Sequence, residues 1–142
     1  MYVRDILRDK GENVVSLATN EPVANGLAMM AEKHIGAVLI TGDDGSIAGI
    51  LSERDIVAAV HSHGEGIFGK TVGELMTAKV VTCSPQDPIV AIMGMMTAKR
   101  FRHVPVLENG KLVGLISIGD VVKFRIEETE AEAEALRKYI AL

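Results

Sequence analysis

A serine followed three positions later by an aspartate marks one place in this sequence where side-chain chemistry and chain geometry coincide. Ser117 follows the apolar run Leu112–Ile116, which is typical of a covered strand, and a serine there is a good helix N-cap. Asp120 falls in the first helical turn, where the positive end of the helix dipole stabilises a carboxylate. The free N–H groups of Ile118 and Gly119 at such a helix start can bind an anion, and the carboxylate accepts hydrogen bonds from hydroxyl groups. Helix capping alone also explains this pattern.

The pattern gains weight because it occurs twice. Gly49-Ile50-Leu51-Ser52-Glu53-Arg54-Asp55 has the same order of residue types as Gly114-Leu115-Ile116-Ser117-Ile118-Gly119-Asp120. Aligning Val14 with Val80 gives about a dozen identical pairs in roughly 46 aligned positions, with one gap. A repeat of this length indicates one supersecondary unit used twice. Neither half is long enough to cover its own sheet, so the two halves are expected to pack together.

Each half predicts the order strand, helix, strand, hairpin turn, strand, helix. In the first half the elements are a strand at Val14–Leu17, a helix capped by Asn20 with Pro22 in its first turn and ending near His34, strands at Ala37–Ile40 and Ile47–Leu51, and a helix from Ser52 to about Val60. In the second half they are a strand at Val80–Cys83, a helix from Asp87-Pro88 to about Lys99, and strands at His103–Leu107 and Leu112–Ile116 joined by Asn109-Gly110. Short helices at Val3–Arg8 and Val72–Met76 precede the repeats, and His61–Lys70 is predicted to be a linker.

The last helix departs from the repeat. It is predicted to start near Gly119 and to continue to Tyr139, because no Gly or Pro follows that would break it. Apolar and small residues step by four and three alternately along one side, at Val122, Ile126, Thr129, Ala133, Leu136 and Ile140. Such a heptad stripe requires a partner helix, which is either another part of the same domain or a second subunit.

Composition bounds the class of protein. The chain has 142 residues, 48% of them hydrophobic, and a net charge of −4, which suits one compact domain and disfavours nucleic acid or an anionic membrane as a partner. No apolar run is long enough to span a membrane and no signal peptide is evident, so a cytoplasmic location is expected. The single cysteine, Cys83, is interpreted as an inert buried thiol. His61 and His63 have a spacing found in metal sites, but without a cluster of further ligands no metal is predicted.

A duplicated β-α-β-β-α unit with Gly-hydrophobic-hydrophobic-Ser-x-x-Asp at each last strand–helix junction resembles the cystathionine-β-synthase (CBS) domain family. The tandem pair is similar to a stand-alone Bateman module, and Ile35–Ile40 and Phe101–Val106 also fit the family. The resemblance implies an α+β fold of two CBS repeats packed as a pseudo-two-fold pair, with a long C-terminal helix. The expected parts are a first repeat with N-terminal helix and linker at residues 1–70, a second repeat at 71–126, and a helical extension at 127–142.

The resemblance also implies a ligand, because the family binds adenosine compounds in the cleft between two repeats. AMP is the first candidate, and ADP, ATP, NAD and S-adenosylmethionine are the others; no obligatory cofactor is expected. In the family the aspartate takes the ribose hydroxyls, while the serine and nearby basic groups meet phosphate. The ligand-binding residues implied here are Ser117, Asp120, Arg102, His103, Ile118 and Gly119 for the second repeat, Ser52, Asp55 and Arg54 for the first, and Thr19, Thr82 and Ser84 as lesser candidates. Each also has a structural interpretation, as a helix cap, a dipole partner, a surface charge or, for His103, a packed core side chain.

No nucleophile–base–acid constellation, P-loop or dinucleotide glycine motif is present, so no catalytic residue is predicted. Together with this absence, the resemblance implies a regulatory module that senses energy or redox state through an adenine nucleotide, with a regulated partner that the sequence does not name. The alternative is a structural or interaction protein that dimerises through its helices without a physiological nucleotide. A homodimer is expected in either case, because the helices from Pro22, Ser52, Pro88 and Ser117 carry more apolar positions than one face needs, among them Ile56, Val57, Val60, Met93, Met96, Val121, Val122 and Phe124.

Overall fold

The computed structural model of the chain, which describes residues 1–141, forms two compact units that each contain one repeat. The first-repeat unit is Val14–Val80, and the second-repeat unit combines Met1–Asn13 with residues 81–141. The elements in chain order are α1 (Val3–Lys10), β1 (Ser16–Ala18), α2 (Val23–Lys33), β2 (Ala37–Thr41), β3 (Ile47–Ser52), α3 (Glu53–His63), a 3₁₀ helix (Gly64–Gly69), α4 (Val72–Leu75), α5 (Ile89–Lys99), β4 (His103–Glu108), β5 (Lys111–Ser117) and α6 (Ile118–Ala141). The predicted α+β fold with a long C-terminal helix is confirmed.

The first-repeat unit is built on a three-stranded sheet in the order β1-β2-β3. Strand β2 runs parallel to β1 and antiparallel to β3, and the register places Ala37 opposite Ser52. Residues 37–40 of β2 are all buried, which explains why this central strand is apolar at successive positions rather than at alternate ones. The buried core of the sheet consists of Leu17, Met30, Val38, Ile40, Leu51 and Val72. The sheet register fixes the end of β3, and with it the position of the first strand–helix junction.

The second-repeat unit contains the antiparallel hairpin β4-β5. Asn109 and Gly110 lie at its turn with positive φ angles of 52° and 76°, as a type I′ turn requires, so the predicted hairpin is confirmed. Its buried core is formed by Val3, Ile6, Leu7, Cys83, Ile89, Ile92, Met96, Val104, Val106, Ile116, Val121 and Phe124. The end of β5 is thereby held against a packed interior, and Ser117 follows directly.

The short helix that leads each unit comes from a different place in the chain. Helix α1 packs in the second-repeat unit, whereas α4, between the repeats in sequence, packs in the first-repeat unit. The motif glycines make room for this packing: a Cβ atom at Gly49 would lie 2.6 Å from the carbonyl oxygen of Thr77, and one at Gly114 would overlap the side chain of Leu7. The two packing units therefore do not correspond to the predicted boundary at residue 70. As a statement of where each repeat begins and ends in the sequence, that boundary stays a prediction.

Several predicted elements need correction. Asn20 does not cap α2: the N-cap is Pro22, and no side chain caps this helix. The predicted strand Val80–Cys83 is reduced to one isolated bridge, between Cys83 and Val106, and the strand expected at Val14–Leu17 lies at Ser16–Ala18. The predicted linker His61–Lys70 is ordered, because α3 continues to His63 and the following 3₁₀ helix buries Ile67 beside Val23 and Ala59. The glycines on both sides of Ile67 and Phe68 concealed this helical turn in the sequence.

Helix α6 has a buried start and an exposed continuation. Val121 and Phe124 are buried in the second-repeat core, so they are not available to a second subunit as the sequence suggested, and the same holds for Met96. The heptad stripe faces elsewhere, with Val122, Ile126, Leu136 and Ile140 exposed at 43%, 53%, 59% and 74%. On the described chain, the stripe is therefore not covered by its own domain.

Candidate functional site

The second-repeat junction is a helix capping box. The Ser117 amide donates to Asp120 Oδ2 at 2.8 Å and the Ser117 hydroxyl donates to the same oxygen at 3.0 Å. In return, the Asp120 amide donates to Ser117 Oγ at 3.2 Å. The predicted N-cap is confirmed, and its hydrogen bonds fix the carboxylate of Asp120 at the start of α6.

A third donor to this carboxylate comes from the far end of the sequence. The ammonium of Lys10, at the end of α1, donates to Asp120 Oδ2 at 2.7 Å and to the carbonyl oxygen of Leu115 at 2.9 Å. Burial alone would raise the pKa of Asp120, but the bonds from Lys10 and Ser117 outweigh it and lower that pKa below its ordinary value. Asp120 is therefore held ionised at neutral pH, and the side-chain bonds from Lys10 and Ser117 both fall on Oδ2 rather than on Oδ1.

The first amide of α6 is already occupied. Ile118 donates its backbone N–H to the carbonyl oxygen of Arg102 at 2.8 Å, so the expectation of a free amide at Ile118 is wrong. The bond has a useful consequence, because it places Arg102 directly beside the capping box with an exposed side chain. The half-buried His103 follows, and the strand register sets it opposite Ser117. The structure thus brings Ser117, Asp120, Arg102 and His103 together at one end of the β4-β5 hairpin.

The first-repeat junction repeats the capping box with the same geometry. The Ser52 amide and hydroxyl donate to Asp55 Oδ2 at 2.8 and 3.0 Å, and the Asp55 amide lies 3.4 Å from Ser52 Oγ. Glu53 donates its amide to the carbonyl oxygen of Gly36 at 3.1 Å, as Ile118 does to Arg102. Where the second repeat presents the side chain of Arg102, this junction presents glycine. The exposed Arg54 lies within the first turn of α3.

A threonine takes the place of the lysine at this junction. The hydroxyl of Thr77 donates to Asp55 Oδ1 at 2.9 Å, and its backbone amide donates to the carbonyl oxygen of Ile50 at 2.9 Å. Ile50 is the repeat counterpart of Leu115, so the single ammonium of Lys10 and the two donors of Thr77 bond to equivalent groups, an aspartate and a strand carbonyl. They differ in the carboxylate oxygen, which is Oδ2 of Asp120 for Lys10 and Oδ1 of Asp55 for Thr77. Sequence reasoning missed both residues. The signal available was the similarity of the short helices α1 and α4, since Lys10 is the last residue of α1 and Thr77 lies two positions after α4.

The three lesser candidates lie elsewhere in their units. Thr19 follows β1 at the Thr41 end of the sheet, whereas Ser52 lies at the opposite end, and the carbonyl oxygen of Thr19 accepts the amide of Gly73 at 3.0 Å. Ser84 is half-buried and bonds to Asp87 and Gln86 ahead of α5, while Thr82 is exposed beside the Cys83 bridge. The structure does not bring Thr19 or Ser84 to the junction of its own repeat, and their part in binding stays a prediction.

The described residues give little support to a metal site or a reactive thiol. Within residues 1–141, no group of three histidine, cysteine or acidic side chains could hold a metal ion. Burial, with a smaller effect from the charge of Asp87, raises the pKa of the Cys83 thiol to about 12, as expected of an inert buried thiol. None of the helices in the described part of the chain is long and apolar enough to cross a membrane.

Both repeats match the CBS domain family, at residues 3–62 and 72–127. The CBS domain-containing protein CBSX3, mitochondrial, of Arabidopsis thaliana is 30% identical over 146 residues, which cover 97% of this chain and 71% of that protein. The crystal structure of the CBS-domain containing protein ATU1752 from Agrobacterium tumefaciens is 42% identical, with a TM-score of 0.86 over 88% of this chain and 99% of the other. The CBS domain pair of protein MJ0100, in complex with 5′-methylthioadenosine and S-adenosyl-L-methionine, shares the fold at 22% identity and a TM-score of 0.79, over 90% of this chain and 98% of the other.

Proposed function

The chain belongs to the CBS domain family, as a tandem pair of CBS domains, and from this premise we propose that it is a regulatory module that binds an adenosine ligand. The ligand makes hydrogen bonds to the carboxylates of Asp55 and Asp120 through its ribose hydroxyls. AMP is the first candidate, followed by ADP, ATP, NAD and S-adenosylmethionine. The proposal assigns no reaction to the chain, and the cytoplasmic location expected from the sequence stays a prediction.

The observation that carries the proposal is the pair of matching capping boxes. In each, an amide and a hydroxyl of the serine hold one carboxylate oxygen at 2.8 and 3.0 Å. A carboxylate fixed in this way has lost its rotamer freedom before any ligand arrives, so a hydrogen bond to a ribose hydroxyl costs less ordering entropy. The half-buried position of both side chains keeps them within reach of a ligand.

The fold is compatible with this ligand class. MJ0100 is a CBS domain pair in complex with two adenosine compounds, and it shares the fold of this chain. Its identity of 22% does not identify a ligand for this protein, so the choice among adenosine compounds depends on direct measurement. Arg102 supports a phosphorylated ligand, because its backbone lies beside the Ser117–Asp120 box and its exposed guanidinium suits a phosphate group.

Thermal melting of the whole chain with AMP, ATP, NAD and S-adenosylmethionine tests the proposal. A ligand present at one hundred times its Kd stabilises the folded state by about 2.7 kcal/mol, which shifts the Tm by several degrees. Calorimetry with Asp120→Ala is expected to show affinity weakened by about 1.5–3 kcal/mol, the scale of a hydrogen bond to a charged group. Glu130→Ala on the exposed part of α6 is the matched control. If none of these compounds binds the wild-type chain, the ligand-binding proposal is wrong.

We also propose a homodimer that buries the α6 stripe. The stripe is exposed over several turns, and a helix with an exposed apolar seam at heptad spacing is stabilised by pairing with another such helix. Leu136→Lys is expected to shift the dimer towards monomer in light scattering, whereas Glu130→Gln, which changes the charge by the same amount, leaves it unchanged. A wild-type chain that scatters as a monomer at micromolar concentration contradicts the dimer. A dimer that binds no adenosine compound favours the alternative of an interaction protein.

A further inference from the structure

The two junctions differ in charge although their capping boxes are alike. At the second junction the ammonium of Lys10 contacts the carboxylate of Asp120. The backbone of Arg102, a second cationic residue, lies next to this junction, where its carbonyl oxygen accepts the first amide of α6. At the first junction the positions equivalent to these two cations hold a threonine hydroxyl, from Thr77, and a glycine. The motif itself adds Glu53 and Arg54 to Asp55 at that junction, so two carboxylates accompany one cation. The residues of the second junction, Asp120, Lys10 and Arg102, therefore carry a net positive charge, and those of the first, Asp55, Glu53 and Arg54, a net negative one.

Among the residues that make the two junctions differ in charge, Lys10 is in direct contact with the carboxylate of Asp120. Thr77 satisfies the same two acceptors, the aspartate and the carbonyl oxygen at the end of the last strand, with neutral donors. A neutral arrangement is thus sufficient to hold the fold at this position. The ammonium at the second junction supplies equivalent hydrogen bonds and also adds a positive charge. Holding the fold does not require this charge.

The chemistry of a nucleoside makes that charge selective. Ribose hydroxyls bound to a carboxylate keep the 5′ substituent of the same molecule within about a Debye length of it, where a phosphate group is repelled by an uncompensated carboxylate. An ammonium paired with the carboxylate cancels this repulsion and attracts the phosphate. At the junction without an ammonium, the repulsion remains and a ligand without phosphate is preferred.

We propose that Lys10 makes the second-repeat junction selective for a phosphorylated adenosine ligand, whereas Thr77 leaves the first-repeat junction selective for an adenosine derivative that lacks phosphate. The inference rests on the proposed function, since it concerns the choice of ligand at the same two junctions. Lys10 acts here as a specificity-determining residue that the sequence did not single out.

The test measures AMP and adenosine separately at each junction by calorimetry on the whole chain. Asp55→Ala removes the first junction, and in this background Lys10 is compared with Lys10→Gln and Lys10→Arg. Glutamine keeps a hydrogen-bond donor but has no charge, and arginine keeps the charge. Lys10→Gln is expected to weaken AMP binding about tenfold and to change adenosine binding by less than about twofold, while Lys10→Arg retains most of the preference for AMP.

The reciprocal change tests the other half of the proposal. Asp120→Ala removes the second junction, and Thr77→Lys in that background is expected to strengthen AMP binding about tenfold relative to adenosine, with an effect that decreases as salt is raised. Circular dichroism melting of each variant checks that the units remain folded, and Thr77→Gln is the uncharged control.

The outcomes separate the two proposals. If the wild-type chain binds neither AMP nor adenosine, the proposed function and this inference both fail. If both compounds bind but Lys10→Gln weakens them by the same factor, Lys10 only positions Asp120 and the selectivity inference is overturned. The same conclusion follows if Thr77→Lys leaves the ratio of AMP to adenosine affinity unchanged.

Discussion

The two strand–helix junctions agree in the geometry of their caps and differ in the donor that contacts the aspartate from outside. The amide and hydroxyl distances from serine to carboxylate are 2.8 and 3.0 Å at both junctions. The outside donor is Thr77, 22 positions from Asp55, in one case, and Lys10, 110 positions from Asp120, in the other. A local motif therefore fixes the cap, while a residue remote in sequence sets its charge.

The motif glycines give the largest expected difference between the repeats. Gly49→Ala is expected to lower the free energy of unfolding by about 2–3 kcal/mol, because the new Cβ atom meets the backbone oxygen of Thr77, which two hydrogen bonds to Ile50 hold in place. Gly114→Ala is expected to cost about 1 kcal/mol, since it meets only the flexible end of Leu7. Urea unfolding of both variants checks the order, and a larger loss for Gly114→Ala contradicts it.

The capping aspartates come next in size. Asp55→Asn and Asp120→Asn are each expected to destabilise the chain by about 1 kcal/mol through the weakened cap. Asp120→Asn loses a further ~0.5 kcal/mol, because its ion pair with Lys10, at 2.7 Å, is also lost. Denaturant unfolding at low and high salt separates the two contributions, since only the ion pair is screened. A double-mutant cycle with Lys10→Met that gives no coupling energy would contradict the role of the pair.

The stability contributed by the ion pair between Lys10 and Asp120 depends on pH. The expected effect is smaller than those above, but its direction is determined by the pKa of Asp120. The pKa of Asp120 is lowered in the folded state by its bonds from Lys10 and Ser117, against the opposing effect of burial. The stability it contributes is therefore present above the unfolded pKa of about 3.9 and is lost as the pH falls through the lower folded value. We expect the advantage of the wild-type chain over Asp120→Asn to be constant between about pH 7 and 5 and to shrink below about pH 4. An advantage that grows on acidification is the opposite of this expectation.

The smallest expected effect is on the rate at which Cys83 is alkylated, which we expect to be very low in the native second-repeat unit. Burial raises the pKa of Cys83 to about 12, so alkylation at neutral pH requires opening of the core around it. Gly114→Ala, in the same unit, is expected to speed alkylation, whereas Gly49→Ala leaves it close to the wild-type rate even though it destabilises the chain more. Equal acceleration by both variants would show that the two units open together.

Much of the fold was predictable because its signals are local. The Asn109-Gly110 turn, the two serine caps and the helix from Pro88 were all correctly predicted from neighbouring residues. The errors fell where local patterns are weak. The strand expected at Val80–Cys83 forms only one bridge, and the 3₁₀ helix at Gly64–Gly69 is held by the burial of Ile67, which the glycine-rich sequence around it does not reveal.

By itself, the sequence determined the repeat, because its two halves can be compared position by position. It also determined the family and the two serine caps, because these depend on short motifs of neighbouring residues. Only the tertiary structure decided that α1 packs with the second repeat and α4 with the first, and therefore that Lys10 contacts Asp120 while Thr77 contacts Asp55. It also showed that the amide of Ile118 is occupied by the carbonyl oxygen of Arg102. The physical reason is that these contacts join segments brought together by burial of apolar surface. The hydrophobic effect is non-directional and does not depend on how far apart two segments lie in the sequence.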